Sequence, residues 1–319
     1  MRFFQRYGNA VLACVLLLAA AKAQADELLA GWQPARLIGA RERVVHANET
    51  GRNYRIQVAA IGQPPANGYP VLYVLDGDGL FPLAALLAQG MHMRAAEHQA
   101  SAMLVVGIGY DNGGLLDLSA RAEDFTPASA SYAQTGDRLS QRFGGAEAFS
   151  RFLTGSLREA IAGEFPVNRQ QQSLFGHSYG GLFALHQLLT APRDFRNYLI
   201  SSPSIWWNQR RVMQDFPGFA QRLAQGSNSI VVRITAGEYE QKLAPHLPAN
   251  PAREAMLQQR QMVDAAAEVA NRLQTEAGAE AVVAYQLYPG QTHGTVAVHA
   301  LLDGIRWLFT QCAAAPDCR

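Results

Sequence analysis

Two runs near the start of the chain, Arg41-Glu42-Arg43-Val44-Val45-His46 and Tyr54-Arg55-Ile56-Gln57-Val58, alternate polar and apolar side chains. Alternation places the apolar residues on one side of an extended backbone, the pattern of strands with one covered face. Asn48-Glu49-Thr50-Gly51 predicts the turn between them, and the pair predicts an antiparallel hairpin at a sheet edge. After Pro64-Pro65-Ala66-Asn67-Gly68 the pattern changes. Pro70-Val71-Leu72-Tyr73-Val74-Leu75-Asp76 is almost continuously apolar, as a strand buried on both faces must be. Gly77-Asp78-Gly79 ends that strand, Leu80 to Arg94 has helical spacing, and Ala102 to Gly109 predicts the next strand. Residues 110–143 are polar and predict a loop. A loop of that length in a compact domain goes with an active-site loop or a lid.

Gly144 to Glu164 carries Ala148, Phe152, Leu153, Leu157 and Ile161 at helical spacing. The apolar run ending at Phe175, then Tyr198 to Ser201, Ile230 to Thr235 and Val282 to Leu287, predict four more strands. Leu182 to Leu189, Ala252 to Glu276 and Val296 to Thr310 predict helices. Strands alternating with helices give an α/β fold: a mainly parallel central sheet with an antiparallel N-terminal edge and helices on both faces. Ligand sites in such sheets lie at the C-terminal ends of the strands.

The first residues stand outside this pattern. Arg2 and Arg6 precede an apolar run from Ala10 to Ala21, and Ala23-Gln24-Ala25 forms a small-residue cleavage site. This predicts a signal peptide over residues 1–25, a mature start at Asp26 and a periplasmic protein. The run is short for a membrane span, so no membrane insertion is expected after cleavage. Residues 26–319 then form a single catalytic domain. Loss of Cys14 with the leader leaves Cys312 and Cys318, which in an oxidising compartment predict a disulfide around Pro316. A net charge of +1 gives no electrostatic case for nucleic acid. His92 and His98 lack partners at metal-ligand spacing, so no metal and no cofactor is expected. Nothing in the sequence sets the oligomeric state.

The chemistry centres on Gly176-His177-Ser178-Tyr179-Gly180-Gly181. A strand runs into it and a helix leaves it, which is the setting of a G-x-S-x-G nucleophile elbow. Gly176 and Gly180 leave room for the tight turn, Gly181 lets the helix approach the strand, and Ser178 is the candidate nucleophile. A serine hydroxyl needs a base and an orienting carboxylate. His293, on the loop beyond the last strand, is the candidate base, ahead of His299 in the following helix. Glu240, three residues after Gly237, is the candidate acid, with Glu238 as the second choice. The oxyanion of an acyl-transfer intermediate needs N–H donors, for which the backbones of Tyr179 and Asp78 are placed.

Several stretches together carry a resemblance: Leu72 to Gly77, Arg121-Ala122-Glu123-Asp124-Phe125-Thr126-Pro127, the elbow, Ser201-Ser202-Pro203-Ser204-Ile205-Trp206-Trp207, Gly237 to Glu240, and His293-Gly294. Over most of its mature length the chain resembles the putative-esterase (enterochelin esterase/esterase D) family of α/β-hydrolases. It is most similar there to periplasmic siderophore esterases that hydrolyse enterobactin- or salmochelin-type trilactones. The resemblance implies a serine carboxylic ester hydrolase with a Ser-His-Glu triad, acting on a small iron–siderophore complex. It implies that Arg121 faces an anionic substrate such as a ferric tris-catecholate, or else braces its loop through Asp124. It implies that Trp206 and Trp207 line the pocket with flat aromatic surface, unless one belongs to the core. Some periplasmic relatives work with a Ser–His dyad, whereas carboxylates stand at the acid position here. The alternatives are a serine esterase acting on an acetylated or feruloylated sugar or a small thioester, and a non-catalytic periplasmic binding protein on a hydrolase scaffold.

Overall fold

Eight strands form one sheet in the order β1-β2-β4-β3-β5-β6-β7-β8 in the computed structural model, which describes residues 37–98, 102–226 and 229–314. The predicted leader, Cys318 and the side chain of Cys312 lie outside the described residues, and the expected disulfide with them. The strands are β1 (Ala40–Ala47), β2 (Arg52–Ile61), β3 (Tyr69–Leu75), β4 (Met103–Tyr110), β5 (Val167–His177), β6 (Asn197–Ser201), β7 (Ile230–Gly237) and β8 (Ala281–Tyr288). β1 pairs antiparallel with β2, and β2 antiparallel with β4. Every other pairing is parallel. Burial follows the residue pattern. β3 and β4 are buried at every position, whereas β8, at the far edge, alternates between core and solvent. Gly39–Arg319 make one compact unit.

The connections supply six helices that matter to the site: α1 (Gly77–Met93), α2 (Leu118–Asp124), α3 (Tyr179–Thr190), α4 (Pro251–Arg260), α5 (Met262–Ala277) and α6 (His293–Ala314). α3 is buried nearly all round; Leu182, Phe183, Leu185, Leu188 and Leu189 have no exposed surface. Each such side chain contributes about 1.5–3 kcal/mol relative to exposure, which anchors the helix that begins at the elbow.

The structure departs from the sequence pattern in four places. α1 begins at Gly77 rather than Leu80, because Asp76 adopts a left-handed conformation (φ 54°, ψ 46°) that turns the chain at once from strand to helix. The predicted loop over 110–143 contains α2, capped by the Asp117 carboxylate, which accepts from the Ser119 and Ala120 N–H groups. The predicted helix over 252–276 is two helices, because Gln261 is left-handed (φ 48°, ψ 40°) and breaks it into α4 and α5. Short helical turns over 207–215 and Phe219–Leu223 fill a stretch for which the pattern predicts no element. Among the described residues no helix is long and apolar enough to cross a membrane.

Candidate active site

The C-terminal end of β5 turns directly into α3, and Ser178 sits in that turn with φ 61° and ψ −115°. Positive φ is costly for a residue with a Cβ, so the turn must be held by its surroundings. The Ser178 N–H donates to the Ser201 carbonyl at 3.0 Å, and the Ser178 carbonyl accepts from Leu182 and Ser204. The glycines make the turn possible by their size. A Cβ on Gly176 would lie 2.1 Å from the Gly180 carbonyl oxygen, and one on Gly181 would lie 2.6 Å from the Ser201 oxygen. Gly180, expected to be as tightly confined, has its nearest neighbour at 3.4 Å. The steric demand therefore falls on Gly176 and Gly181. Because Gly176 meets backbone, Gly176→Ala is expected to cost about 3 kcal/mol or more of stability. Thermal unfolding of the purified variant measures this, and an unchanged midpoint would contradict the packing argument.

The hydroxyl of Ser178 is 2.9 Å from His293 Nε2, and His293 Nδ1 is 2.5 Å from Glu240 Oε1. His293 opens α6 just beyond β8, and Glu240 follows β7, so the three residues converge from the ends of three strands. Glu240 has no exposed surface. Its second oxygen accepts from the Gly237 N–H at 2.7 Å and from the Ser202 hydroxyl at 2.8 Å. Three donors therefore converge on one buried carboxylate, which satisfies it without a cation. This arrangement fixes the imidazole with its proton on Nδ1 and leaves Nε2 to accept from Ser178.

Glu238 turns away. It pairs with Lys242 and accepts from the Gly290 N–H, bracing the turn before His293. His299 lies further along α6, where it contacts the Thr295 carbonyl and the Tyr288 ring. Tyr179, the first residue of α3, carries a backbone N–H directly after the serine, at a helix N-terminus where such groups lack intrahelical partners. Asp78 lies in the first turn of α1. Its carboxylate accepts from the Tyr110 N–H at 2.7 Å and faces Arg55, so only its backbone is left for the site.

The expectation for Arg121 is corrected, and of the two tryptophans one belongs to the core. Arg121 does not face the pocket. Its Nε and Nη2 donate to the two oxygens of Asp76 at 2.8 and 2.9 Å, in a buried bidentate pair. Burial would depress the guanidinium, but the Asp76 carboxylate more than offsets this, so Arg121 stays charged and spent. Nor does it brace Asp124, which accepts from Tyr54 and faces Arg52. Trp207 has no exposed surface and packs against the stacked rings of Tyr132 and Phe143. Trp206 is half-buried, and the Arg260 guanidinium covers its face at 4.0 Å, so it offers no bare aromatic plate there.

The structure also brings in residues that sequence reasoning misses. The His177 ring lies 4.6 Å from the His293 ring, places Nδ1 3.0 Å from the Ser201 hydroxyl and hydrogen-bonds the His293 backbone. Burial, with the His293 ring and the Arg121 guanidinium nearby, pushes it well below the ordinary imidazole value, so it stays neutral and supports the turn that leads His293 into α6. Its adjacency to the nucleophile was the available signal. Asp137 accepts from the Tyr179 hydroxyl at 2.9 Å, tying the 110–143 segment to the elbow. Beside His293 lies a cavity of about 540 Å³ lined by Glu240, Asn250, Arg253, Met256, Arg260 and Met262, among others. Among the described residues no group of three or more His, Cys, Asp or Glu side chains is placed to hold a metal ion.

Such an arrangement can carry out acyl transfer, and proteins similar to this chain are named esterases. The family model described as Putative esterase matches residues 47–287. A siderophore triacetylfusarinine C esterase of Aspergillus fumigatus is 32% identical over 280 residues, covering 82% of this chain and 90% of that protein. The ferri-bacillibactin esterase BesA of Bacillus subtilis is 33% identical over 208 residues, covering 64% of this chain and 71% of that protein. Among solved structures, the BES protein of Bacillus cereus superposes with a TM-score of 0.75 at 30% identity, covering 87% of this chain and 97% of that one. With the family model spanning most of its length and the same fold in its relatives, this chain belongs to the Putative esterase family and is a carboxylic ester hydrolase of the α/β-hydrolase fold.

Proposed function

We propose that this protein is an exported serine esterase that cleaves the ester bonds of a catecholate siderophore of the trilactone type and so releases its iron. The observation that carries the reading is the relay from Ser178 through His293 to Glu240, at 2.9 and 2.5 Å. It stands in a chain whose relatives are named siderophore esterases. The leader-like N-terminus supports export to the periplasm, where an iron-loaded siderophore would be met.

In this reading the Ser178 oxygen attacks the ester carbonyl while its proton passes to His293 Nε2. Glu240 stabilises the imidazolium through Nδ1–H and does not itself take the proton. The tetrahedral oxyanion accepts from the backbone N–H groups of Tyr179 and Asp78, each donor worth about 3 kcal/mol in the transition state. Collapse expels the alcohol, which receives the proton from His293. Water then repeats the sequence on the acyl-enzyme and restores Ser178.

The test is product analysis by mass spectrometry after incubation with iron-loaded enterobactin. Expected products are the opened linear trimer and its shorter fragments, formed faster than p-nitrophenol is released from a simple ester at equal concentration. A siderophore left intact while generic esters are cleaved would remove the substrate from the proposal and leave the esterase.

A further inference from the structure

With Arg121 committed to Asp76, the charge that meets the substrate must come from elsewhere, and the cavity beside His293 supplies it. One wall is α4, a helix none of whose residues is buried. A helix with no buried residue adds little to a core, so its place over the cavity needs another reason. It carries Arg253 and Arg260 into the lining. Neither makes an ion pair among the described residues, although Arg43, Arg52, Arg55, Arg121, Arg169 and Arg211 all do. The other charged group in the lining, Glu240, is buried and fully engaged.

Arg260 is the better placed of the two. Its guanidinium sits 4.0 Å over the Trp206 ring, which in turn lies 6.1 Å from the Tyr179 ring beside the nucleophile. The aromatic face holds the cation in place without neutralising it. Partial burial lowers the half-exposed Arg260 guanidinium from its ordinary value, and Tyr179 and Asp137 oppose that effect. Asp137 forms no ion pair with it, being committed to the Tyr179 hydroxyl and the Leu139 N–H. The support beneath Trp206 is strained. Asn208, Gln209 and Arg210 all have positive φ, at 45°, 55° and 63°. Left-handed residues of this kind cost on the order of 1–2 kcal/mol each. Hydrogen bonds from Asn208 to Ser129 and Ser131 lock that turn to the 110–143 segment.

We infer that Arg260, seated on Trp206 and assisted by Arg253, is the specificity-determining charge of the pocket and selects esters whose non-reacting part is anionic over neutral ones of the same shape. The inference rests on the esterase reading and narrows it. A ferric tris-catecholate is an anion and a ferric tris-hydroxamate is not, so the site would discriminate between these two classes of iron complex. A cation held at fixed distance from the nucleophile also orients the substrate, since displacing the anion from it would move the ester off Ser178.

The experiment compares p-nitrophenyl hydrogen terephthalate, an anion whose carboxylate cannot reach its own ester, with p-nitrophenyl methyl terephthalate, its neutral counterpart. The wild-type protein is expected to favour the anion in kcat/KM by about tenfold, a preference that shrinks as salt is added. Arg260→Gln should cut the anion-to-neutral ratio at least fivefold, mainly through KM, and Arg260→Lys should restore part of it. A parallel titration of Ser178→Ala with each of the two esters, with and without Arg260→Gln, reads the same preference as binding alone. A ratio that Arg260→Gln leaves unchanged in both assays overturns the inference while the esterase reading stands. No hydrolysis of either ester by the wild-type protein, with the charge-dependent binding intact, would overturn the esterase reading instead.

Discussion

Ser178→Ala is expected to lower kcat about a millionfold, on the scale seen when a serine hydrolase loses its nucleophile. The size follows from what is lost. The Ser178 oxygen is the atom within hydrogen-bond distance of His293 Nε2, so no other side chain inherits the base. The Ser204 hydroxyl lies 3.4 Å from Ser178 Oγ. The oxyanion donors and the binding surface would remain, which is why some acceleration over water should survive. Stability should hardly change. Alanine meets the same backbone strain as serine at φ 61°, and the turn is held by backbone bonds to Ser201, Leu182 and Ser204 that the substitution leaves in place. Initial rates on a p-nitrophenyl ester, with thermal unfolding alongside, measure both quantities. Labelling by a fluorophosphonate probe should disappear with the activity. Turnover within a hundredfold of wild type would show that Ser178 is not the nucleophile.

What could be read from the sequence was local. A continuous apolar run such as Leu72 to Leu75 reads as a strand buried on both faces because every residue reports the same environment, and those residues are buried throughout. The elbow was legible because its glycines, serine and flanking elements lie within a few residues of one another. Glu240 could be preferred to Glu238 from the turn after β7, and the structure turns the first toward His293 and the second toward Lys242. Long-range partnerships were not legible. Arg121 meets Asp76, 45 positions away, because α2 folds back over the end of β3. Trp206 and Trp207 are identical in type and adjacent, yet one enters the core and the other meets Arg260. The break between α4 and α5 falls at Gln261, which is neither glycine nor proline, so nothing in the residue pattern marks it. That break lets α4 leave the line of α5, and Arg260, the last residue before it, was hidden with it.

Glu240→Gln is expected to lower kcat about ten-thousandfold with little change in KM, comparable to the loss when a triad aspartate becomes asparagine. Glu240 accepts from His293 at one oxygen, and from Gly237 N–H and the Ser202 hydroxyl at the other. A glutamine has one carbonyl oxygen to offer. The Gly237 N–H is backbone and cannot rotate, so it claims that oxygen and directs the amide NH2 toward His293. The Nδ1 atom must then accept, the ring proton moves to Nε2, and the imidazole can no longer take the proton of Ser178. The substitution is nearly isosteric, so the variant should fold, with a cost of about 1–3 kcal/mol for the disturbed buried contacts. Glu238→Gln is the matched control. It removes an exposed pair with Lys242 and one bond to Gly290, and should leave kcat within about threefold. The pH–rate profiles separate the cases further: Glu240→Gln should lower the plateau, whereas the Glu238→Gln curve should follow that of the wild type. A small effect at position 240, with the elbow still reactive toward the fluorophosphonate, would mean that Ser178 and His293 work as a dyad and that the buried carboxylate serves the fold.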